Sequence, residues 1–106
     1  MTPDSPHHLG HRDRLKARFE RTGVAGLQDY EVLELVLFYA LPRRDVKPLA
    51  KELLKRFGSL KGALDADREA LLATPGIGPH AASLFRVIRE AGSLYLRQKA
   101  EEREQI

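Results

Sequence analysis

Leu71-Leu72-Ala73-Thr74-Pro75-Gly76-Ile77-Gly78-Pro79-His80-Ala81-Ala82 is the segment on which the reading of this chain turns. A short aliphatic helical pattern runs into a proline and two closely spaced glycines, and a longer helical pattern begins directly after them. Gly76 and Gly78 permit positive φ and allow the backbone to approach a neighbour with no Cβ in the way. Ile77, between them, is placed to plug inward. The amides around Gly76, Gly78, His80 and Ala81 then lie at a helix N-terminus, where unsatisfied N–H groups amount to roughly half a positive charge. Such an arrangement binds phosphate, and because main-chain groups make the contact it reads no base.

Helical patterns extend in both directions from this turn. Downstream, Ala81, Leu84, Phe85, Ile88, Ala91, Gly92 and Tyr95 mark one face of a long last helix. Upstream, Asp65 or Asp67 caps a short helix that ends near Ala73, and Ser59 to Ala63 makes another short turn. Between Asp45 and Gly58 the positions Val46, Leu49, Ala50, Leu53, Leu54 and Phe57 follow helical spacing, which leaves Lys47, Lys51 and Lys55 on the opposite, solvated side. Asp45 reads as the N-cap, Pro48 fits the first turn, and Gly58 the C-cap. Tyr30 to Leu41 is apolar on nearly all sides and reads as a central buried helix capped by Asp29 and closed by Pro42. Its Glu31 and Glu34 read as solvent-facing or capping groups. His11 to Arg21 forms an N-terminal helix ended by Gly23. No segment alternates with period two, so the expected fold is all-α. Residues 1–9 read as a disordered lead-in, 10–97 as the domain and 98–106 as a charged tail or linker.

Composition narrows the function classes. With 106 residues and 42% apolar content the chain supports one core. The absence of cysteine excludes disulfides, zinc knuckles and thiol nucleophiles. No apolar run approaches the ~20 residues of a membrane span, and no secretory leader is evident, so a soluble cytoplasmic protein is expected. The net charge is only +3, but residues 43–61 alone hold seven basic and two acidic groups. His7, His8, His11 and His80 have no acidic partner at ligand spacing, so no metal site is expected.

The Leu-x-x-x-Pro-Gly-Ile-Gly core, with Ala82 beyond it, resembles the helix-hairpin-helix motif of DNA repair and recombination proteins. Tyr30 to Phe57 repeats the order helix, connector, helix, although its connector Leu41-Pro42-Arg43-Arg44-Asp45 lacks the glycines. Together the two units resemble a tandem, pseudo-two-fold helix-hairpin-helix domain with an extra N-terminal helix. Four further blocks resemble the N-terminal (UPF0758-type) domain of the RadC family of bacterial DNA repair proteins. They are Gly10-His11-Arg12-x-Arg14-Leu15 with Phe19, Asp29 to Tyr39, Pro42-Arg43-x-Asp45-x-Lys47-Pro48-x-Ala50, and Arg56 to Leu60. Members of that family continue into a metal-dependent MPN/JAB-type domain with a His-x-His motif, and no such motif occurs in these 106 residues.

The expectation is a sequence-independent DNA-binding module, not an enzyme, with no catalytic residues. Its contacts are the second hairpin at Gly76, Ile77, Gly78, His80 and Ala81, and the first at Arg43, Arg44, Lys47 and Lys51. No organic cofactor is expected. The resemblance implies that the carbonyls of Thr74 and Ile77 are placed to hold a monovalent cation bridging to a phosphate. The alternative is a protein-interaction or homo-oligomerisation module that positions a downstream domain, and Pro79, which removes one amide from the hairpin, favours it.

Overall fold

The computed structural model describes the backbone of residues 5–104 and the side chains of residues 10–104. Within them the secondary structure is helical throughout: α1 (Ser5–Thr22), a 3-10 turn (Val24–Gly26), α2 (Asp29–Ala40), α3 (Lys47–Phe57), α4 (Leu60–Asp65), α5 (Arg68–Leu72) and α6 (Pro79–Glu104). None of these helices is long and apolar enough to cross a membrane.

α2 is the axis of the fold. It packs against α1, α3, α4 and α6, and among its residues only Asp29, at its start, and Tyr39 are exposed. Leu33 and Leu37 are completely buried there and meet Leu53 of α3, Ala63 of α4 and Phe85 of α6 in one core. Each fully buried leucine stabilises the fold by roughly 2 kcal/mol relative to exposure. α3 behaves as its periodicity requires: Leu49, Ala50 and Leu53 face inward while Lys47, Lys51 and Lys55 face solvent.

The helix ends show where local chemistry stops each element. Gly23 (φ 65°) and Gly58 (φ 86°) end α1 and α3, their amides returning to the carbonyls of Phe19 and Leu54. Ser59 caps α4 by accepting from the Gly62 amide, and Asp67 caps α5 by accepting from Ala70. Two caps differ from expectation by one residue. Gln28, not Asp29, is the N-cap of α2, its amide donating to Glu31 Oε1 at 2.9 Å. The freed Asp29 carboxylate instead accepts from the Leu60 amide at the start of α4. Val46, not Asp45, is the N-cap of α3, while Asp45 Oδ1 accepts from the Lys47 amide at 3.2 Å.

Both ends are more helical than expected. Met1 to Asp4 of the expected lead-in lie outside the described residues, but Ser5 to Leu9 belong to α1. Ser5-Pro6 is itself a helix-start signature, since a proline in the first turn forfeits no hydrogen bond. At the other end α6 runs through the charged segment to Glu104, past the expected break near Leu96, and only Gln105 and Ile106 lie outside the described residues. Arg97 and Glu101 form an i,i+4 pair on that stretch, one of the contacts by which charged residues support a helix rather than dissolve it.

α3 and α4 meet so closely at Gly58 to Gly62 that a Cβ on Gly62 would run into the Phe57 carbonyl oxygen. Gly62→Ala is therefore expected to lower unfolding free energy by about 2 kcal/mol or more, against the ~1 kcal/mol gain that alanine brings to an open helix site. Urea denaturation followed by circular dichroism measures it.

Candidate nucleic-acid interface

The turn between α5 and α6 is built as a plugged loop. Thr74, buried, donates its hydroxyl to the Ala70 carbonyl (3.1 Å) and its amide to Leu71 (3.0 Å), holding the end of α5. Its own carbonyl accepts from the Ile77 amide at 3.0 Å, which closes the loop, and the Ile77 side chain enters the core. Only Gly76 of the two turn glycines takes positive φ, 96°. α6 then opens with the Ala82 amide on the Gly78 carbonyl at 3.1 Å.

That accounting leaves a defined set of donors. Among the described residues, the amides of Gly76, Gly78, His80 and Ala81 have no acceptor, whereas that of Ile77 is consumed inside the loop. Gly76 and His80 are exposed and Gly78 is half-buried, with open space where a Cβ would stand. Ala81 gives its methyl to the core.

The first connector reaches this loop. A Cβ on Gly76 would stand 3.4 Å from the Arg44 guanidinium and 3.4 Å from Leu49 Cδ1, so the connector's cation and the first turn of α3 rest against the glycine. Lys47 and Lys51 gather elsewhere on the same helix, over the Tyr30 ring at 5.9 and 5.1 Å from its centroid. Arg43, Arg44, Lys47 and Lys51 are all exposed and, among the described residues, none is in an ion pair. Their charge is available to a partner.

What fixes the first connector was not visible beforehand. Arg12, buried on α1, donates through its guanidinium to three carbonyls at the end of α2 and in the connector after it: Phe38 (3.3 Å), Leu41 (2.6 Å) and Arg44. It also lies 4.4 Å from the centre of the Phe38 ring. Burial lowers the Arg12 pKa, while Asp45 and Glu34 act in the opposite direction.

Glu31 caps α2 as expected, its carboxylate accepting from the Gln28 amide, whereas the solvent-facing reading of Glu34 and the unpartnered reading of His11 are corrected. Glu34 is completely buried and Glu31 nearly so. His11 Nε2 lies 2.8 Å from Glu34 Oε2, and Arg18 pairs with Glu31. These contacts form an antiparallel ladder between α1 and α2, in which residues seven apart on one helix meet residues three apart on the other. Burial pushes Glu31 up, but hydrogen bonds from the Gln28 amide and Arg18, with the charge of Arg18, outweigh it and hold the carboxyl below its ordinary value. Among the described residues no three His, Asp or Glu side chains gather as a metal site requires.

These features fall within residues 7–83, which match the UPF0758 N-terminal family model. The chain belongs to the UPF0758 N-terminal family. The match runs from the first turn of α1 to the first turn of α6, including both connectors and the Arg12 anchor, and agrees with the resemblance to the N-terminal region of RadC proteins. No solved structure matches this UPF0758 N-terminal chain.

Arg12→Ala strands three carbonyls at a helix end and is expected to destabilise the domain by about 3 kcal/mol in urea denaturation. Arg12→Lys, which lacks the planar fork, recovers only part of that loss. For Glu31 the folded pKa lies below the unfolded one, so its contribution is complete above the ordinary value of 4.5 and is lost as pH falls through the lower folded value. Glu31→Gln is expected to flatten the acid limb of a stability-against-pH profile.

Proposed function

We propose that this domain grips the backbone of DNA without reading its sequence, using the amides of Gly76, Gly78 and His80 for one phosphate and Arg44 beside them for its neighbour. The observation that carries the reading is the contact between the two connectors. Main-chain donors at the start of a 26-residue helix, unpartnered among the described residues, stand next to a guanidinium, delivered by another helix pair, that forms no ion pair among those residues. Backbone donors and an arginine fork are both complementary to phosphate oxygens. α2 and α3 around Leu41–Asp45, and α5 and α6 around Thr74–Gly78, follow the same order of helix, connector and helix. In this reading they are the two halves of a tandem helix-hairpin-helix unit, the first contributing side chains where the second contributes amides. Arg43, Lys47 and Lys51 extend the cationic face, and the carbonyls of Ile77 and Thr74 remain the place for a bridging monovalent cation. Membership of a family related to RadC proteins supports a role in DNA repair.

Neutralising about 4 to 6 phosphates gives a steep salt dependence and a dissociation constant of roughly 10⁻⁴ to 10⁻⁶ M. Gly78→Ala is the sharp test. Its φ is not positive and its Cβ meets nothing within 4 Å, so stability stays within about 0.5 kcal/mol, while the methyl occupies the space a phosphate would take. Fluorescence anisotropy with a labelled duplex is expected to show at least a fivefold loss of affinity, on the scale of one charge-assisted contact. Unchanged affinity in the folded variant contradicts the reading.

A further inference from the structure

Helix α6 leaves the body of the domain halfway along its length. Its fully buried residues stop at Phe85, and every residue from Glu90 to Glu104 is exposed. The outer stretch is nevertheless not uniformly polar. Val87, Leu94 and Tyr95 are 61%, 43% and 60% exposed. At 100° per residue, Leu84, Val87, Ile88, Ala91, Leu94 and Tyr95 share an arc of about 120°, with Leu96 alone of the exposed large apolar residues of α6 outside it. At the root of the arc lies an apolar groove of about 310 Å³ lined by Phe19, Leu35, Val36 and Tyr39 together with Leu84 and Ile88. A single-helix arc of this width normally faces another element, and among the described residues no element covers its outer half.

The spacing of Leu84, Val87, Ala91, Leu94 and Gln98 is that of a heptad seam, which specifies a helical partner. The charges flanking the seam indicate which helix. Glu90 and Arg97 both sit one residue before a seam position. When two copies of α6 run antiparallel with Ala91 of each opposite Leu94 of the other, these flanking positions face each other, so Glu90 of each copy meets Arg97 of the other. The small Ala91 receives the larger Leu94, and the two domain bodies stand at opposite ends. A parallel pairing would instead stack Ala91 on Ala91 and Glu101 on Glu101, with both bodies crowded at one end. The present intrachain partners, Arg86 for Glu90 and Glu101 for Arg97, are solvent-exposed i,i+4 contacts worth little and easily exchanged.

We propose that α6 pairs antiparallel with α6 of a second copy of this chain over Leu84–Glu101, through the apolar arc and two reciprocal Glu90–Arg97 ion pairs. The overlap is small for a protein interface, so the expected dissociation constant is in the micromolar range. At 1.5 Å per residue the two Gly78 positions then lie about 44 Å apart along the helix pair. That consequence rests on the DNA-binding reading: the dimer presents two phosphate-binding hairpins, one at each end, and is built to bridge two DNA segments rather than to grip one more tightly.

Sedimentation equilibrium of the full 106-residue chain from ~10 µM to ~1 mM tests the pairing without DNA. Expected are a monomer–dimer equilibrium, at least tenfold weaker dimerisation for Leu94→Asp, and a similar loss for Glu90→Arg, which places like charges face to face. The double swap Glu90→Arg with Arg97→Glu is expected to restore dimerisation. Circular dichroism should show all three variants folded, since these positions touch no core residue. A monomer throughout the range, a dimer indifferent to Leu94→Asp, or a double swap that fails to recover overturns the proposal. Anisotropy with the dimerisation-deficient Leu94→Asp variant, titrated through the expected DNA dissociation constant, separates this outcome from the DNA-binding reading, because a monomer retains its hairpin.

Discussion

One buried guanidinium organises the face this domain offers. α2 ends at Ala40, and the carbonyls at that end and in the connector after it have no further helical turn to accept from. Arg12, reaching across from α1, supplies the donors for Phe38, Leu41 and Arg44 at once. A charge in this position is tolerated because its two terminal nitrogens donate to carbonyls of partial negative charge and because the Phe38 ring lies against it, although Nε is buried without a partner. The connector thereby becomes a fixed element instead of a loose loop. Its next side chain, Arg44, is held where Gly76 of the other turn leaves room for it. The position of Arg44 beside the free amides thus traces back to a residue 32 positions earlier in the chain.

The rest of the packing serves the same end. α2 is enclosed on nearly all sides, which lets it orient α1, α3, α4 and α6 against a single axis, and α3 and α6 carry the two groups of cationic and amide donors. Ile77 and Thr74 anchor the second turn to the core from within. Its outward amides are consequently left unpaired: the loop satisfies the Ile77 donor and the Gly78 carbonyl receives the first helical bond from Ala82, while among the described residues the amides of Gly76, Gly78, His80 and Ala81 have no internal partner.

Much of this was legible from local signals. Helical periodicity, the Gly23 and Gly58 stops, the Ser59 and Asp67 caps and the turn at Thr74–Pro79 are encoded within a few residues of where they act. The polar contacts between α1 and α2 were not, because they depend on how two helices cross. Glu34 stands in an otherwise apolar run, and a charge there reads as solvent-facing unless its partner is known. The partner is His11, 23 residues away. A usable signal did exist: His11 and Arg18 lie two turns apart, Glu31 and Glu34 about one turn apart, and opposite charges at helical spacing on consecutive helices can face one another. The extension of α6 was missed for a different reason. A run of mixed charge resembles a linker in composition, but its i,i+4 pairing of Arg97 with Glu101 gives it helical support.

The central claim is that phosphate meets main-chain amides at the start of α6 with Arg44 at their side. The most direct measurement is a two-dimensional ¹⁵N–¹H correlation spectrum of the labelled chain titrated with a short duplex at low salt. The account predicts that the amide resonances of Gly76, Gly78 and His80 move first and furthest, together with the side-chain resonance of Arg44, and that two unrelated duplex sequences produce the same pattern. Shifts confined to the outer half of α6, or a spectrum in which those three amides stay still while DNA binds, would contradict it.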